Sequence, residues 1–130
     1  MTSVVLDASA LLALFNKEPG ADVVRAALVG ASISAVNYSE TMKKVIERSI
    51  PTDPLKALIR GASLDIVPFD EAMAEASAAL YPQTKMHGLS FADRACLALG
   101  VHRNLKVLTA ERRMSLPTLS IKVKLIRHAN

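Results

Sequence analysis

Short apolar runs alternate with helix-forming segments along almost the whole of this chain, and that alternation limits the folds open to it. Residues 3–6 (Ser-Val-Val-Leu) read as a buried strand, and Ala8 to Phe15 then reads as a helix. The breakers in Asn16-Lys17-Glu18-Pro19-Gly20 make a loop. A second helix runs from Ala21 to Val29, closed by Gly30, and residues 31–35 form a short strand. From Asn37 onward, Tyr38, Met42, Val45 and Ile46 recur at helical spacing, which predicts an amphipathic helix ending before Pro51. Asp53 is expected to cap the next helix, with Pro54 in its first position. A strand over 65–69 leads to a helix capped by Asp70, and Tyr81 to Gly88 is a connector. A helix follows from Ser90 to Val101, then a strand at Lys106-Val107-Leu108, a short helix from Ala110, and a last strand from Ile121 to Ile126. In that strand Ile121, Val123 and Leu125 alternate with Lys122 and Lys124, so it is half exposed and belongs at an edge. Strands that alternate with helices predict an α/β fold, with a mostly parallel central sheet and helices on both faces. No repeat, low-complexity tract or linker interrupts the pattern, so all 130 residues are expected to form one domain.

Four acids sit where an apolar run gives way to a helical segment: Asp7, Glu40, Asp93 and Glu111. Parallel α/β folds gather such junctions along one sheet edge, where they place their sites. Converging carboxylates repel, at a cost on the order of 4 kcal/mol for two charges about 4 Å apart in a dielectric near 20. Either the fold separates them or a multivalent cation holds them, and a cation of that kind implies phosphate chemistry.

Each acid also has a plainer explanation. Asp7 can cap the helix that follows it. Glu40 favours its helix dipole, precedes Lys43 and Lys44 at ion-pairing distance, and points away from Tyr38 and the apolar face. Ser90 and Asp93 have the spacing of a capping box. Yet Phe91 to Val101 holds only Asp93 and Arg94 as charged residues, so this helix is largely buried. A buried carboxylate is costly unless metal-bound or paired with a basic side chain. Thr109 can cap the last short helix, with Glu111 favouring its dipole. Ser9 and Thr109 are either plain caps or hydroxyls that orient carboxylates or metal waters.

Charge is uneven. Residues 102–130 carry seven Lys/Arg and one acid, giving +6, whereas the rest carries −2 and the whole chain +4. A basic end beside an acidic site suits a polyanion, and an ordinary solvated surface is the alternative. The apolar share of 51% is ample for a core, and with aromatics at 4% that core is built from Leu, Val, Ile and Ala. No stretch of about 18 or more uncharged apolar residues exists, so no membrane span is expected. The N-terminus lacks a basic region and carries Asp7, unlike a signal peptide. The triplet Asn37-Tyr38-Ser39 matches a glycosylation acceptor only by chance. Cys96, the single cysteine, excludes an internal disulfide, fits a reducing cytoplasm, and reads as buried filler among Ala and Leu. There is no Walker A motif, no dinucleotide fingerprint and no zinc spacing, and His87, His102 and His128 are scattered.

These residues together resemble the PIN domain, and within it the VapC-type toxin ribonucleases of bacterial toxin–antitoxin pairs. The resemblance covers essentially the whole chain. It rests on Val5-Leu6-Asp7-Ala8-Ser9-Ala10-Leu11, on Ser39-Glu40, on the stretch from Gly88 to Leu99 (GLSFADRACLAL), and on Val107-Leu108-Thr109-Ala110-Glu111-Arg112. It implies catalytic, metal-binding carboxylates at Asp7, Glu40, Asp93 and Glu111. It implies an Mg²⁺- or Mn²⁺-dependent endoribonuclease, the toxin of a type II pair, and such carboxylates suit hard Mg²⁺. The family also implies a homodimer and a cognate VapB-type antitoxin that occupies the cleft, often with a basic side chain near the acids. The chain departs from the family at the fourth acid. That position is usually Asp, and an aromatic often follows where Arg113-Met114 stands here. On charge alone, Arg112, Arg113 and Lys122 are candidates to hold the RNA backbone. Two other classes compete: a non-catalytic PIN-like module that binds RNA or a protein partner, and a phosphoacceptor receiver domain. The second would need a Lys at the end of a late strand, whereas Lys106 begins one.

Overall fold

The protein was analysed as a computed structural model, which describes residues 3–128. Five parallel strands stand in the order β3-β2-β1-β4-β5: β1 (Val4–Leu6), β2 (Ser32–Ser34), β3 (Asp65–Val67), β4 (Lys106–Thr109) and β5 (Val123–Leu125). The central strands are apolar because both of their faces are covered, and Val5, Leu6 and Val107 are each 0% exposed. Four helices contribute to one face: α1 (Ala8–Phe15), α2 (Ala21–Ala27), α3 (Ala35–Glu47) and α4 (Asp53–Gly61). Their Leu11, Val24, Val45 and Leu55 pack with Leu6, Ile33 and Leu108. Helices α5 (Glu71–Ala79) and α7 (Phe91–Arg103) cover the other face, bringing Met73, Leu97 and Leu99 to Val5 and Val107. Gly100 lets α7 lie close on the sheet, since a Cβ there would stand 2.8 Å from Val107 Cγ2 and 2.6 Å from Ile121 Cδ1. The α/β class, the parallel sheet, the helices on both faces and the edge position of β5 all agree with the sequence.

The chain moves outward one way through β1, β2 and β3, then returns to place β4 on the other side of β1. The two connections therefore diverge at the carboxyl ends of β1 and β4, which opens a crevice at the switch point. Asp7 follows β1 directly, and Thr109 ends β4.

Several boundaries differ from expectation, each for a local reason. Helix α3 begins at Ala35, two residues before Asn37, because Ser34 Oγ accepts the Val36 N–H at 3.2 Å. Asp53 is the first residue of α4 and not its cap; Thr52 before it already has near-helical backbone (φ −84°, ψ −18°) and no side chain caps this end. Strand β3 stops at Val67, because Pro68 has no N–H to give the ladder. The stretch from Tyr81 is not an open connector but a single-turn helix α6 (Tyr81–Thr84) followed by a 3-10 turn (Lys85–His87). Pro82 is tolerated in that first turn, where its missing N–H would have had no partner. Helix α2 ends at Ala27 rather than Val29, and α7 runs two residues further, to Arg103, where Asn104 adopts the left-handed conformation that stops it. The segment after Ala110 is a 3-10 turn (Arg112–Met114), and the last strand keeps only Val123–Leu125.

Candidate active site

All four acids line one cleft of ≈ 210 Å³, together with Ser9, Glu18, Lys44, Arg48, Arg113 and Arg127. Asp7 is the most enclosed, at 4% exposed. It caps α1 as expected, its Oδ1 accepting the Ala10 N–H at 2.9 Å. The same oxygen accepts the Ser9 hydroxyl at 2.7 Å, and Oδ2 accepts the hydroxyl of Thr109. Ser9 Oγ in turn accepts the Ala110 N–H, and Thr109 Oγ1 the Glu111 N–H, both at 2.9 Å. Ser9 and Thr109 thus tie the end of β1 to the exit of β4 and fix the Asp7 carboxylate between them. Burial pushes the Asp7 carboxyl up from 3.8 to about 6; the bonds from Thr109, Ser9 and Ala10 oppose this, and the charge of Asp93 adds to it.

Asp93 is 8% exposed in the first turn of α7. The capping box is present: Asp93 N–H donates to Ser90 Oγ at 3.2 Å, and Asp93 Oδ2 accepts the Ser90 N–H at 2.9 Å. An Arg113 guanidinium nitrogen stands 3.4 Å from the same Oδ2. The ion pair weighed for this acid is therefore present as well. Helix α3 is clamped to this end of α7 by Asn37, 1% exposed, whose Nδ2 donates to the Ala92 carbonyl at 3.0 Å. A buried Asn with that role is no glycan acceptor. Asn37→Ala removes the clamp and leaves a gap between the helices that carry Glu40 and Asp93. A loss of about 1–3 kcal/mol is expected, measured by urea unfolding.

Glu40 and Glu111 are half-buried on the cleft wall, and among the described residues neither side chain makes a hydrogen bond or ion pair. Lys43, a proposed partner of Glu40, pairs instead with Glu47 at 2.9 Å on the solvent side of α3. The donor chemistry suits a hard divalent cation, for every candidate ligand atom is a carboxylate or hydroxyl oxygen and the burial of Asp7 beside Asp93 disfavours two bare charges. Among the described residues no three carboxylate, His or Cys side chains stand close enough to share an ion as they are placed. Glu40 and Glu111 are the side chains free to complete such a set.

The basic candidates separate. Arg113 lines the cleft, and Arg112 is exposed beside it. Lys122 stands apart: in the register that pairs Val107 with Val123 it lies level with Lys106, at the amino end of the strands and away from the cleft. Charge counting along the sequence cannot tell one end of a strand from the other. Lys106 sits at that same far end, which leaves a receiver-type site without its lysine. Three cleft cations were missed as such. Lys44 and Arg48 follow Glu40 at four-residue steps and so share its helix face, a signal the sequence did carry. Arg127 reaches the cleft by bonding Glu18 Oε1 at 2.9 Å and the Pro19 carbonyl at 3.1 Å, and it holds the Glu18 carboxyl below its usual range. Cys96 is fully buried with its thiol pushed up by burial, and His87, His102 and His128 are exposed and line no part of the cleft.

Fold and site together define a doubly wound α/β domain that concentrates carboxylates and cations at its switch point. No helix among the described residues is long and apolar enough to cross a membrane. The chain belongs to the PIN domain family, whose model matches residues 4–117. Among solved structures it is similar to a toxin–antitoxin complex from Klebsiella pneumoniae, at 21% identity and a TM-score of 0.79, covering 98% of this chain and 100% of that one. It is also similar to a DNA-bound VapBC from Salmonella typhimurium, at 16% identity and a TM-score of 0.73, covering 98% and 100%. A third is VapC20 of Mycobacterium tuberculosis, described as a sarcin–ricin loop cleaving toxin, at 14% identity and a TM-score of 0.72, covering 90% and 96%. At these identities the likeness is one of fold. No curated protein sequence matches.

Proposed function

We propose that this chain is a divalent-metal-dependent endoribonuclease acting as the toxin of a type II toxin–antitoxin pair. The single observation that carries this is the meeting of Asp7, Glu40, Asp93 and Glu111, from four separate segments, in one cleft with cations on its walls. The toxin–antitoxin complexes among its structural neighbours support a VapB-type antitoxin as partner, and the sarcin–ricin loop cleaving neighbour supports RNA as substrate. An apolar surface that includes Tyr81, Met86 and Phe91, each more than half exposed, suits a homodimer or the antitoxin.

Bound Mg²⁺ or Mn²⁺ would neutralise the scissile phosphate and lower the pKa of an attacking water. Asp7 and Asp93 are the central ligands in this proposal. Ser9 and Thr109 hold Asp7 in one orientation through its two oxygens, as partners behind metal ligands do. Ser90 does the same for Asp93 through its backbone N–H. Glu40 and Glu111, unpaired on the wall of the same cleft, would complete the oxygen set or orient the water. Arg113, ion-paired to Asp93 and lining the cleft, would hold a phosphate oxygen of the RNA. The same ion pair is the observation that favours a second reading, a non-catalytic module in which Arg113 permanently occupies Asp93.

The test is incubation of the purified chain with total RNA and Mg²⁺ or Mn²⁺, followed by mapping of the ends. Cleavage with metal and none in EDTA is the expected result. RNA binding without cleavage under any divalent ion would favour the second reading, and cutting that persists in EDTA would remove the metal mechanism.

A further inference from the structure

Glu40 and Lys44 on the polar face of α3, and Arg48 at its C-cap, follow one another at four-residue steps, and all three line the cleft. On a helix that step advances about 6 Å along the axis. The two cations therefore recede from the acids one turn at a time, a spacing close to the phosphate step of an extended single strand. Their charge is less committed than that of the cleft's other two cations, although Arg48 helps to hold the Glu18 carboxyl down and both help to hold that of Glu47 down. Arg127 is neutralised by Glu18 at 2.9 Å, and Arg113 faces Asp93 at 3.4 Å. Among the described residues Lys44 and Arg48 have no carboxylate within ion-pair distance, whereas Lys43 on the solvent side of the same helix pairs with Glu47. Lys44 is half-buried in the cleft wall, so its stem is supported there.

Resting on the nuclease reading of the cleft, we infer that Lys44 and Arg48 form a phosphate track. They hold two successive phosphates on one side of the scissile bond of a single RNA strand and so set the direction in which it leaves the acids. Both are positioning residues, acting on the backbone and not on base identity. An acidic partner peptide fits less well, because the track ends at the unpaired Glu40 and Glu111, which repel carboxylates and accept a phosphate only with a cation between.

The experiment measures binding of a short, labelled single-stranded RNA of mixed sequence to the full chain across a salt series. Ca²⁺ replaces Mg²⁺, RNA integrity is read on a gel, and cleavage with Mg²⁺ and Mn²⁺ is assayed in parallel. Each single-strand phosphate contact contributes about −0.7 to the slope of log K against log salt. Lys44→Ala and Arg48→Ala are each expected to flatten the slope by about 0.7 and to weaken binding about fivefold at 0.1 M salt. Lys43→Ala, which removes the same charge from the other side of the helix, should leave the slope unchanged. A slope that is unaltered in Lys44→Ala and Arg48→Ala, or altered equally in Lys43→Ala, overturns the track while cleavage by the wild type keeps the nuclease reading. The expected slopes without cleavage under either ion would keep the track and overturn that reading. Neither binding nor cleavage by the wild type overturns both.

Discussion

Asp7→Asn is expected to make the protein more stable than wild type in EDTA at neutral pH, and unable to cut RNA. The Asp7 carboxyl titrates near 6 in the fold against 3.8 in its ordinary state, chiefly because it is buried. A raised acid opposes folding once the pH forces it to ionise. Below pH 4 both states hold the proton and Asp7 is neutral in its effect. As pH rises through the interval up to about 6, the unfolded chain ionises freely and the folded one resists. Above that the wild type is disadvantaged by about 3 kcal/mol. An Asn at this position keeps an oxygen for the Ser9 and Ala10 donors and buries no charge. Urea unfolding in EDTA at pH 4 and pH 7.5 measures the difference. The wild type should lose stability between the two values, and Asp7→Asn should lose less. Equal slopes in the two proteins would mean that Asp7 ionises in the fold without penalty. With Mn²⁺ present the ranking should narrow or reverse, since a cation that needs Asp7 ionised stabilises only the wild type.

Asp93→Asn should erase the stabilisation that a divalent ion confers while leaving the domain intact. The capping box survives, because an Asn oxygen can still accept the Ser90 N–H that Asp93 accepts at 2.9 Å. At a hundred times its dissociation constant, Mn²⁺ should stabilise the wild type by about 2.7 kcal/mol. The variant should show little of this, and its cleavage should fall by more than the roughly 10- to 100-fold that follows loss of a residue merely supporting a ligand. Thermal unfolding with and without Mn²⁺, beside circular dichroism to verify the fold, reads both effects. An undiminished Mn²⁺ shift in Asp93→Asn would place the ion elsewhere.

Much of this was open to a reader of the sequence because it is local. Asp7, Ser90 and Asp70 accept backbone N–H groups as their neighbours predict. The apolar runs of β1 and β4 announce strands covered on both faces. Strand order is not local, so the meeting of the acids had to be inferred from the general geometry of parallel sheets. The same limit hid the distance of Lys122 from the cleft, for its exposure and charge say nothing about which end of β5 it adjoins. It also hid Arg127, which joins the cleft through Glu18, 109 residues away in sequence. Lys44 and Arg48 were legible in principle. Their spacing from Glu40 fixes a shared face, but only the packing of α1 and α7 beside α3 turns that face into a wall.

The hydroxyl of Thr109 reaches Asp7 across 102 positions of sequence. During synthesis the first of these residues leaves the ribosome long before the second is made. A nascent chain that has produced α1, α2 and α3 owns two of the four acids and no crevice to put them in. Any activity of the cleft is thus withheld until β4 has paired beside β1.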